Sequence, residues 1–249
     1  MIRLRSFTIV FLASFACCAA ALAQPPESHA AAKELIADIH EAIGHQTTVY
    51  CGCPYERTTR SGGDLTREEC GLTARSNDEL SDALHWEHVV PAAWIGEQHA
   101  CWRDGHELCV NNSGPYKGRD CCTKSEVDPK FMEKFNDLHN LFPASGEINV
   151  NRLNHPYGEV QGEPRAYGAC DFEMRRGPTV AEPAKSVRGE LARAMLYMID
   201  QFGVDVRMSR EQLMSWHELD PPEPWEIERA RRIEAATDRK NRYLITSNN

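Results

Sequence analysis

Residues 86–93 read WEHVVPAA, which places a carboxylate directly beside an imidazole. Neighbouring side chains of a strand point to opposite faces, so Glu87 and His88 can share a pocket only where the strand ends or bends. Pro91 is a reason for the strand to end, because proline is excluded from the middle of a sheet. We therefore predict a strand over residues 84–90 that presents one group able to hold a metal and one able to move a proton.

A second segment about fifty residues further on completes this pattern. Residues 137–143 read DLHNLFP, which predicts a short strand that Pro143 stops. Ser145 is a good N-cap for a helix from Gly146 to about residue 154. The first turns of that helix would hold Asn149, whose amide oxygen is a hard ligand. Strand, strand and helix, with Glu-His on the first strand and Asn on the helix, form the layout of a ββα-metal finger.

Four segments in this order resemble the bacterial endonuclease I family, the secreted or periplasmic non-specific nucleases of the His-Me finger superfamily. They are EHVVP at residues 87–91, DLHNL at 137–141, GEIN at 146–149 with Arg152, and VRGELAR at 187–193. Each motif alone is a weak signal, but the four in order are a strong one. The resemblance covers nearly all of the chain after its first residues.

The resemblance implies a role for each matching residue. His88 corresponds to the general base, while Glu87 and Asn149 correspond to the residues that hold one divalent cation. Asn140 would brace the loop and orient the site. The family also places an arginine on the cleaved phosphate. The candidates for phosphate binding here are Arg103, in the cysteine-flanked segment after the first motif, and Arg152.

Phosphodiester hydrolysis gives these groups a chemical purpose. A histidine near neutrality can accept a proton from the attacking water. A site with only two protein oxygen ligands suits Mg²⁺, which keeps several waters and accepts substrate oxygens. Mn²⁺ and Ca²⁺ are the alternatives. We also expect a backbone carbonyl to accept a hydrogen bond from the other nitrogen of His88 and so fix its tautomer.

The N-terminus predicts export. Arg3 and Arg5 precede an apolar run that ends at about Leu22, and residues 21–23 form an A-x-A cleavage site. We therefore predict a signal peptide at residues 1–23 and one nuclease domain at 24–249, with the motif core at about 84–154. A lipoprotein cut before Cys17 fits less well. The mature protein would be periplasmic or secreted and free of the membrane.

The eight cysteines that follow the predicted signal peptide indicate a disulfide framework. The even number of cysteines in an exported chain favours disulfides, and C-x-C and adjacent cysteines are not the usual spacing of zinc sites. Adjacent cysteines would bond to two different partners, but the connectivity stays open. The eight residues are Cys51, Cys53, Cys70, Cys101, Cys109, Cys121, Cys122 and Cys170.

Charge limits how the protein could hold nucleic acid. The formal net charge of −9 becomes −11 when Arg3 and Arg5 are removed, which argues against binding through whole-molecule charge. A local basic groove remains possible because phosphate contacts act over roughly a Debye length. Basic residues do precede the second motif, although a solvated surface is the better explanation for any single one of them: Lys117, Arg119, Lys124, Lys130 and Lys134.

The expected fold is α+β: a ββα-metal finger embedded in a mostly helical single domain that disulfides stabilise. Helices are predicted over about 28–43, 187–202 and 223–241, with a capping-box start at Ser209. The expected function is endonuclease cleavage of DNA, with RNA as a possible second substrate, by a monomer. Sequence preference is not expected because no base-reading element is visible. A binding protein on a decayed nuclease scaffold and a hydrolase of another class are the alternatives.

Overall fold

The computed structural model describes residues 23–124, 126–162, 165–175 and 179–245. The predicted leader lies outside these ranges except for its last residue. The α-helices are α1 (His29–Ala42), α2 (Arg67–Cys70), α3 (Asp78–Asp82), α4 (Ala92–Gly96), α5 (Ala100–Arg103), α6 (Arg119–Cys122), α7 (Pro129–Phe135), α8 (Gly146–Arg152), α9 (Arg188–Phe202), α10 (Arg210–Leu219) and α11 (Pro224–Thr237). The strands are β1 (Tyr55–Arg57), β2 (Gly63–Leu65), β3 (Leu84–His88), β4 (Val110–Asn111), β5 (Gly114–Pro115), β6 (Leu141–Ser145), β7 (Phe172–Arg175) and β8 (Val180–Pro183).

The strands pair only in antiparallel twos: β1 with β2, β3 with β6, β4 with β5, and β7 with β8. The fold is therefore mixed α and β, with a mostly helical body, as the sequence predicted. Within the described ranges, no helix combines the length and the apolar character needed to cross a membrane.

The two motif strands form one sheet, but the second strand differs from the prediction. Residues Leu138–Asn140 form a 3₁₀ turn, and β6 then runs through Pro143, which lies opposite Trp86. Pro143 was expected to stop the strand. Its carbonyl accepts a hydrogen bond from Val49 N at 2.8 Å, on the edge away from β3. The missing N–H therefore costs no ladder hydrogen bond, because opposite residues in an antiparallel pair alternate between bonded and non-bonded positions.

Helix α8 follows β6 directly and ends two residues earlier than predicted. Ser145 occupies the N-cap position, but its hydroxyl donates to Ser81 O at 2.9 Å instead of capping the helix. Gly146 lies so close to α3 that an added Cβ would be 2.7 Å from Leu80 O, so only glycine fits here. The Glu147 carboxylate accepts hydrogen bonds from the backbone N–H groups at the start of α3. These contacts fix α8 against the sheet and thereby orient Asn149.

The four longer helices α1, α9, α10 and α11 form the body that supports this sheet. Helix α9 is buried along most of its length, which agrees with its apolar run from Ala194 to Ile199. Arg229 of α11 is fully buried and donates from Nη2 to Leu138 O at 2.8 Å and to Leu141 O at 2.7 Å. It therefore joins the helical body to the turn that precedes β6. The predicted helices agree with α1, α9 and α10 to within a residue or two, whereas α11 ends at Thr237 instead of near residue 241.

All eight cysteines predicted to form disulfides do so. The pairs are Cys51–Cys170, Cys53–Cys70, Cys101–Cys122 and Cys109–Cys121. The adjacent Cys121 and Cys122 bond to different partners, as expected. The first pair spans 119 residues and joins the loop before β1 to the segment before β7. The last two pairs hold the short helix α6 from both sides.

Candidate active site

A pocket of about 910 Å³ opens where β3 ends. Its wall includes Glu87, His88 and Asn149, so the structure brings together the three residues that the sequence predicted as base and metal ligands. Glu87 and His88 share this pocket because β3 ends at His88, which removes the strict alternation of a continuing strand. The order strand, strand, helix thus places a carboxylate, a carboxamide and an imidazole at one opening.

The ring of His88 is held by a backbone carbonyl. Nε2 of His88 lies 2.8 Å from Phe135 O, and a carbonyl can only accept, so Nε2 carries the proton. This identifies the carbonyl expected from the sequence. The lone pair of the neutral ring is then on Nδ1, which can accept a proton. The Phe135 ring also stacks on His88 with centroids 4.5 Å apart.

The electrostatic surroundings keep His88 neutral. Burial lowers the pKa of His88 to about 4, and the positive charges of Arg119 and Arg152 act in the same direction, against the hydrogen bond to Phe135. A neutral imidazole is the form that accepts a proton.

One oxygen of the Glu87 carboxylate is held by two hydrogen bonds, from Tyr50 and Arg152. Glu87 is 3% exposed, and its Oε1 accepts hydrogen bonds from Tyr50 Oη at 3.1 Å and Arg152 Nη1 at 2.9 Å. Among the described residues no donor reaches Oε2, so that oxygen is the one left for a ligand. Burial raises the pKa of Glu87, while the Arg152 cation and the Tyr50 hydroxyl oppose this rise. These two hydrogen bonds therefore support the ionised form that metal binding requires.

Arg152 is fully buried beside Glu87 and also binds the backbone at the end of β3. Its Nη1 also donates to His88 O at 2.8 Å, and its Nη2 donates to Val89 O at 2.8 Å. The guanidinium lies 4.5 Å from the ring of Tyr157, whose hydroxyl is 2.6 Å from that of Tyr50. Arg152 was a candidate for phosphate binding. In the structure both of its Nη groups hold the end of β3 and Glu87.

Replacing Arg152 by methionine is expected to lower the free energy of unfolding by about 3–5 kcal/mol, because Glu87 would remain buried without its counter-charge. Urea unfolding measures this change. Arg232→Met is the matched control, since Arg232 pairs with Glu228 at 2.8 Å on the surface, where an ion pair contributes about 0–1 kcal/mol. Equal losses in the two variants would mean that Glu87 does not depend on Arg152.

Asn140, predicted to brace the loop, is hydrogen-bonded to the chain just after Glu87 and His88. It is fully buried, and its side chain pairs with Val90 in both directions: Oδ1 accepts from Val90 N at 2.7 Å and Nδ2 donates to Val90 O at 2.9 Å. Its own carbonyl accepts from Val89 N at 3.1 Å. Asn140 therefore fixes where the chain leaves β3 and does not line the pocket.

The ligand set at the pocket fits a hard cation. Across the part of the chain that the structure describes, no group of three or more His, Cys, Asp or Glu side chains is arranged to hold a metal ion. A metal at this opening would depend on Glu87 Oε2 and on Asn149, whose half-buried side chain has no hydrogen bond to another described residue. Two oxygen ligands with open positions match the preference of Mg²⁺ for water and substrate oxygens.

Two basic residues of the pocket wall were counted in the sequence but not chosen as site residues. Lys117 and Arg119 line the pocket and are exposed. Arg119 begins α6, and the disulfides of Cys121 and Cys122 hold that helix in place. Arg103 does not line the pocket; its Nη1 donates to Glu97 O at 2.9 Å. The signal that could have pointed to Arg119 is its position two residues before the doubled cysteine.

His29 was not recognised as a site residue from the sequence. This residue begins α1, lines the pocket and lies against His88, with ring centroids 5.2 Å apart. Burial lowers the pKa of His29 to about 3, helped by the neighbouring His88. No motif surrounds His29 in the sequence, and it lies 59 positions before His88, so only the folded chain shows their proximity.

Comparisons with known proteins show which family the chain belongs to. The model of the endonuclease I family matches residues 32–247. An extracellular deoxyribonuclease of Aeromonas hydrophila is 36% identical over 206 residues, which cover 80% of this chain and 82% of that protein. A periplasmic deoxyribonuclease of the same organism is 34% identical over 89% of this chain and 87% of that protein. Endonuclease-1 of Buchnera aphidicola subsp. Acyrthosiphon pisum (strain APS) is 32% identical over 78% of this chain and 72% of that protein. The chain belongs to the endonuclease I family.

Proposed function

We propose that this protein is a divalent-metal-dependent endonuclease that hydrolyses phosphodiester bonds of DNA, with His88 as the general base. One observation carries the proposal. Nδ1 of a fixed, neutral imidazole shares a pocket with the side-chain oxygens of Glu87 and Asn149 and with the exposed Arg119. The relatives named as deoxyribonucleases support DNA as the substrate. In this proposal β3, β6 and α8 act as a ββα-metal finger.

His88 would take a proton from the attacking water. Its Nε2–H group stays on the Phe135 carbonyl, so the lone pair at Nδ1 is held ready for the water. Arg152 stabilises the same arrangement by binding the carbonyl of His88. The ring of His88 is thus held by the carbonyl of Phe135, and its backbone is held through its own carbonyl by Arg152, so the ring needs no carboxylate partner.

Glu87 and Asn149 would hold one cation, most simply Mg²⁺, with Mn²⁺ or Ca²⁺ as substitutes. The chemistry supplied by such a cation is Lewis-acid stabilisation of negative charge on the scissile phosphate and the leaving oxygen. Glu87 contributes its free oxygen because Tyr50 and Arg152 occupy the other one. Asn149 contributes its amide oxygen from the middle of α8.

Asn149→Ala is the cleanest test of the ligand assignment, because the Asn149 side chain has no hydrogen bond among the described residues to lose. We expect the Mg²⁺ concentration for half-maximal cleavage to rise at least about tenfold, since even changes behind the ligands commonly cost 10–100-fold in metal affinity. The exposed Asn111→Ala is the control. An unchanged Mg²⁺ requirement in Asn149→Ala would contradict the assignment. Glu87→Ala is less clean because it leaves Arg152 unpaired.

Arg119 would contact the DNA phosphate, a role for which the sequence suggested Arg103. Arg119→Ala is expected to lower kcat/KM roughly 10-fold, less than the roughly 10²–10³-fold for a donor in a dry site, because Arg119 is exposed. Arg103→Ala, which removes a charge outside the pocket, is expected to leave kcat/KM within about twofold. Cleavage of a labelled duplex measures both variants. The opposite order of effects would return the role to Arg103.

The compartment follows from the same set of observations. A predicted leader, four disulfides and relatives named extracellular or periplasmic all support a secreted or periplasmic enzyme. Disulfides persist in those oxidising compartments. We propose that the mature enzyme acts there as a monomer. The pocket residues are suited to phosphates and not to base edges, so cleavage without sequence preference remains the expectation.

A further inference from the structure

We propose that His29 is a positioning residue that holds the ring of His88 in its working orientation. The proposal rests on the proposed function of His88 as general base. His29 lies in the pocket wall at the first turn of α1, and its ring contacts both rings of the base region. Its centroid is 5.2 Å from that of His88 and 4.6 Å from that of Phe135.

The three rings form a triangle. Since His88 and Phe135 are themselves 4.5 Å apart, the distances exclude a sandwich in which His88 lies between the other two. His29 and Phe135 instead lie side by side against His88. The part of the imidazole turned away from them is not covered by these two rings.

Ring packing of this kind restricts a movement of His88 that its hydrogen bond leaves open. The contact between Nε2 and Phe135 O fixes the direction of one ring nitrogen. The ring can still swing about the line of that hydrogen bond, and such a swing moves Nδ1. Packed rings on one side block the movement, because close-packed groups resist small displacements. His29 therefore restricts the position of the lone pair that would accept the proton.

His29 is itself anchored to the same turn. Ser28 caps α1, with its hydroxyl oxygen 3.2 Å from Ala31 N. Asn136, the residue after Phe135, donates from Nδ2 to Pro26 O at 3.3 Å. Gln24 N donates to Ala236 O at 3.1 Å, which ties the start of the N-terminal arm, residues 24–29, to the end of α11. The arm that carries His29 and the turn that carries Phe135 are thus fixed to each other.

The ring, and not its nitrogens, makes the contact. No described residue forms a hydrogen bond with the side chain of His29, and its Nδ1 is buried without a partner. Both of its observed contacts at the base are ring contacts. A phenyl ring in the same place should therefore do the same work, whereas a methyl group should not.

This difference defines the experiment: full-length mature protein carrying His29→Ala or His29→Phe. We expect His29→Ala to lower kcat for duplex DNA roughly tenfold, since small misplacements of catalytic groups cost up to about 10²-fold. Its KM, and its Kd for a labelled duplex in EDTA, should stay within about twofold. His29→Phe should retain kcat within about twofold. Thermal unfolding of both variants serves as the control for folding.

A second readout does not depend on cleavage. In ¹⁵N NMR spectra at neutral pH, His88 of the wild type should show only the tautomer protonated at Nε2. His29→Ala should keep this tautomer but shift and broaden the ring signals of His88, because the ring can then swing about its retained hydrogen bond to Phe135 O. His29→Phe should show the wild-type signals. This measurement tests the ring packing even if the wild type proves unable to cleave DNA, which would overturn the proposed function separately.

Two results would overturn the proposal. If His29→Phe loses as much kcat as His29→Ala, the nitrogens of His29 matter and the ring contact does not explain its role. If His29→Ala matches the wild type in both kcat and the position and width of the His88 ring signals, then His29 does not position the base.

Discussion

Replacing His88 by alanine is expected to lower kcat for DNA cleavage by roughly 10²–10⁴-fold. The reason is that a general base acts in the transition state, so its loss appears in kcat and not in substrate binding. The imidazole is half-buried and makes one hydrogen bond, to Phe135 O, so the fold should survive its removal. Single-turnover cleavage of a labelled duplex, with Kd measured in EDTA, separates the two quantities.

The control for this prediction is His106→Ala, which changes an exposed histidine that does not line the pocket. It should cleave like the wild type. A drop in DNA affinity that accounts for the whole loss in His88→Ala would assign His88 to binding. Retention of wild-type kcat would remove it from the mechanism altogether.

Loss of the Cys51–Cys170 disulfide is expected to have the largest effect on stability. It closes a span of 119 residues, and a loop of about 100 residues corresponds to roughly 4.7 kcal/mol in the chain-entropy account. That is most of the stability of a marginal domain, which is about 5–15 kcal/mol. The double variant with serine at both positions should therefore be largely unfolded or strongly destabilised. Denaturant unfolding measures the change.

The Cys109–Cys121 pair is the matched comparison. It spans only 12 residues, so its double serine variant should lose about 3 kcal/mol or less. The longer disulfide also adjoins Tyr50, which donates to Glu87, so its loss should disturb the site as well as the fold. Native protein should contain no free thiol among the eight paired cysteines. Equal stability of the two double variants, or full activity after complete reduction, would contradict this account.

Local patterns predicted much of the site because its chemistry lies in short segments. The Glu87-His88 pair, the Gly146-to-Asn149 segment and the strand-strand-helix order can all be recognised from neighbouring residues. The wrong details were decided by contacts distant in sequence. Pro143 can lie inside a strand because its backbone polar groups point away from β3, where its carbonyl accepts a hydrogen bond from Val49 N. Ser145 gives its hydroxyl to Ser81 and so does not cap α8.

The walls of the pocket could not be predicted for the same reason. Arg119 reaches the site because two disulfides fold a long insertion back onto it, and their connectivity is not written in the sequence. Arg152 looked like a phosphate ligand, yet burial commits it to Glu87. His29 meets His88 across 59 residues of chain, without any motif.

The most direct test of the central proposal is cleavage of supercoiled plasmid by the purified, oxidised mature protein. Wild type with Mg²⁺ should convert the plasmid to nicked and then linear forms, EDTA should stop the reaction, and added Mg²⁺ should restore it. His88→Ala with Mg²⁺ should leave the plasmid supercoiled over the same time. Undiminished nicking in EDTA, or by His88→Ala, would contradict a metal-dependent nuclease that uses His88 as its base.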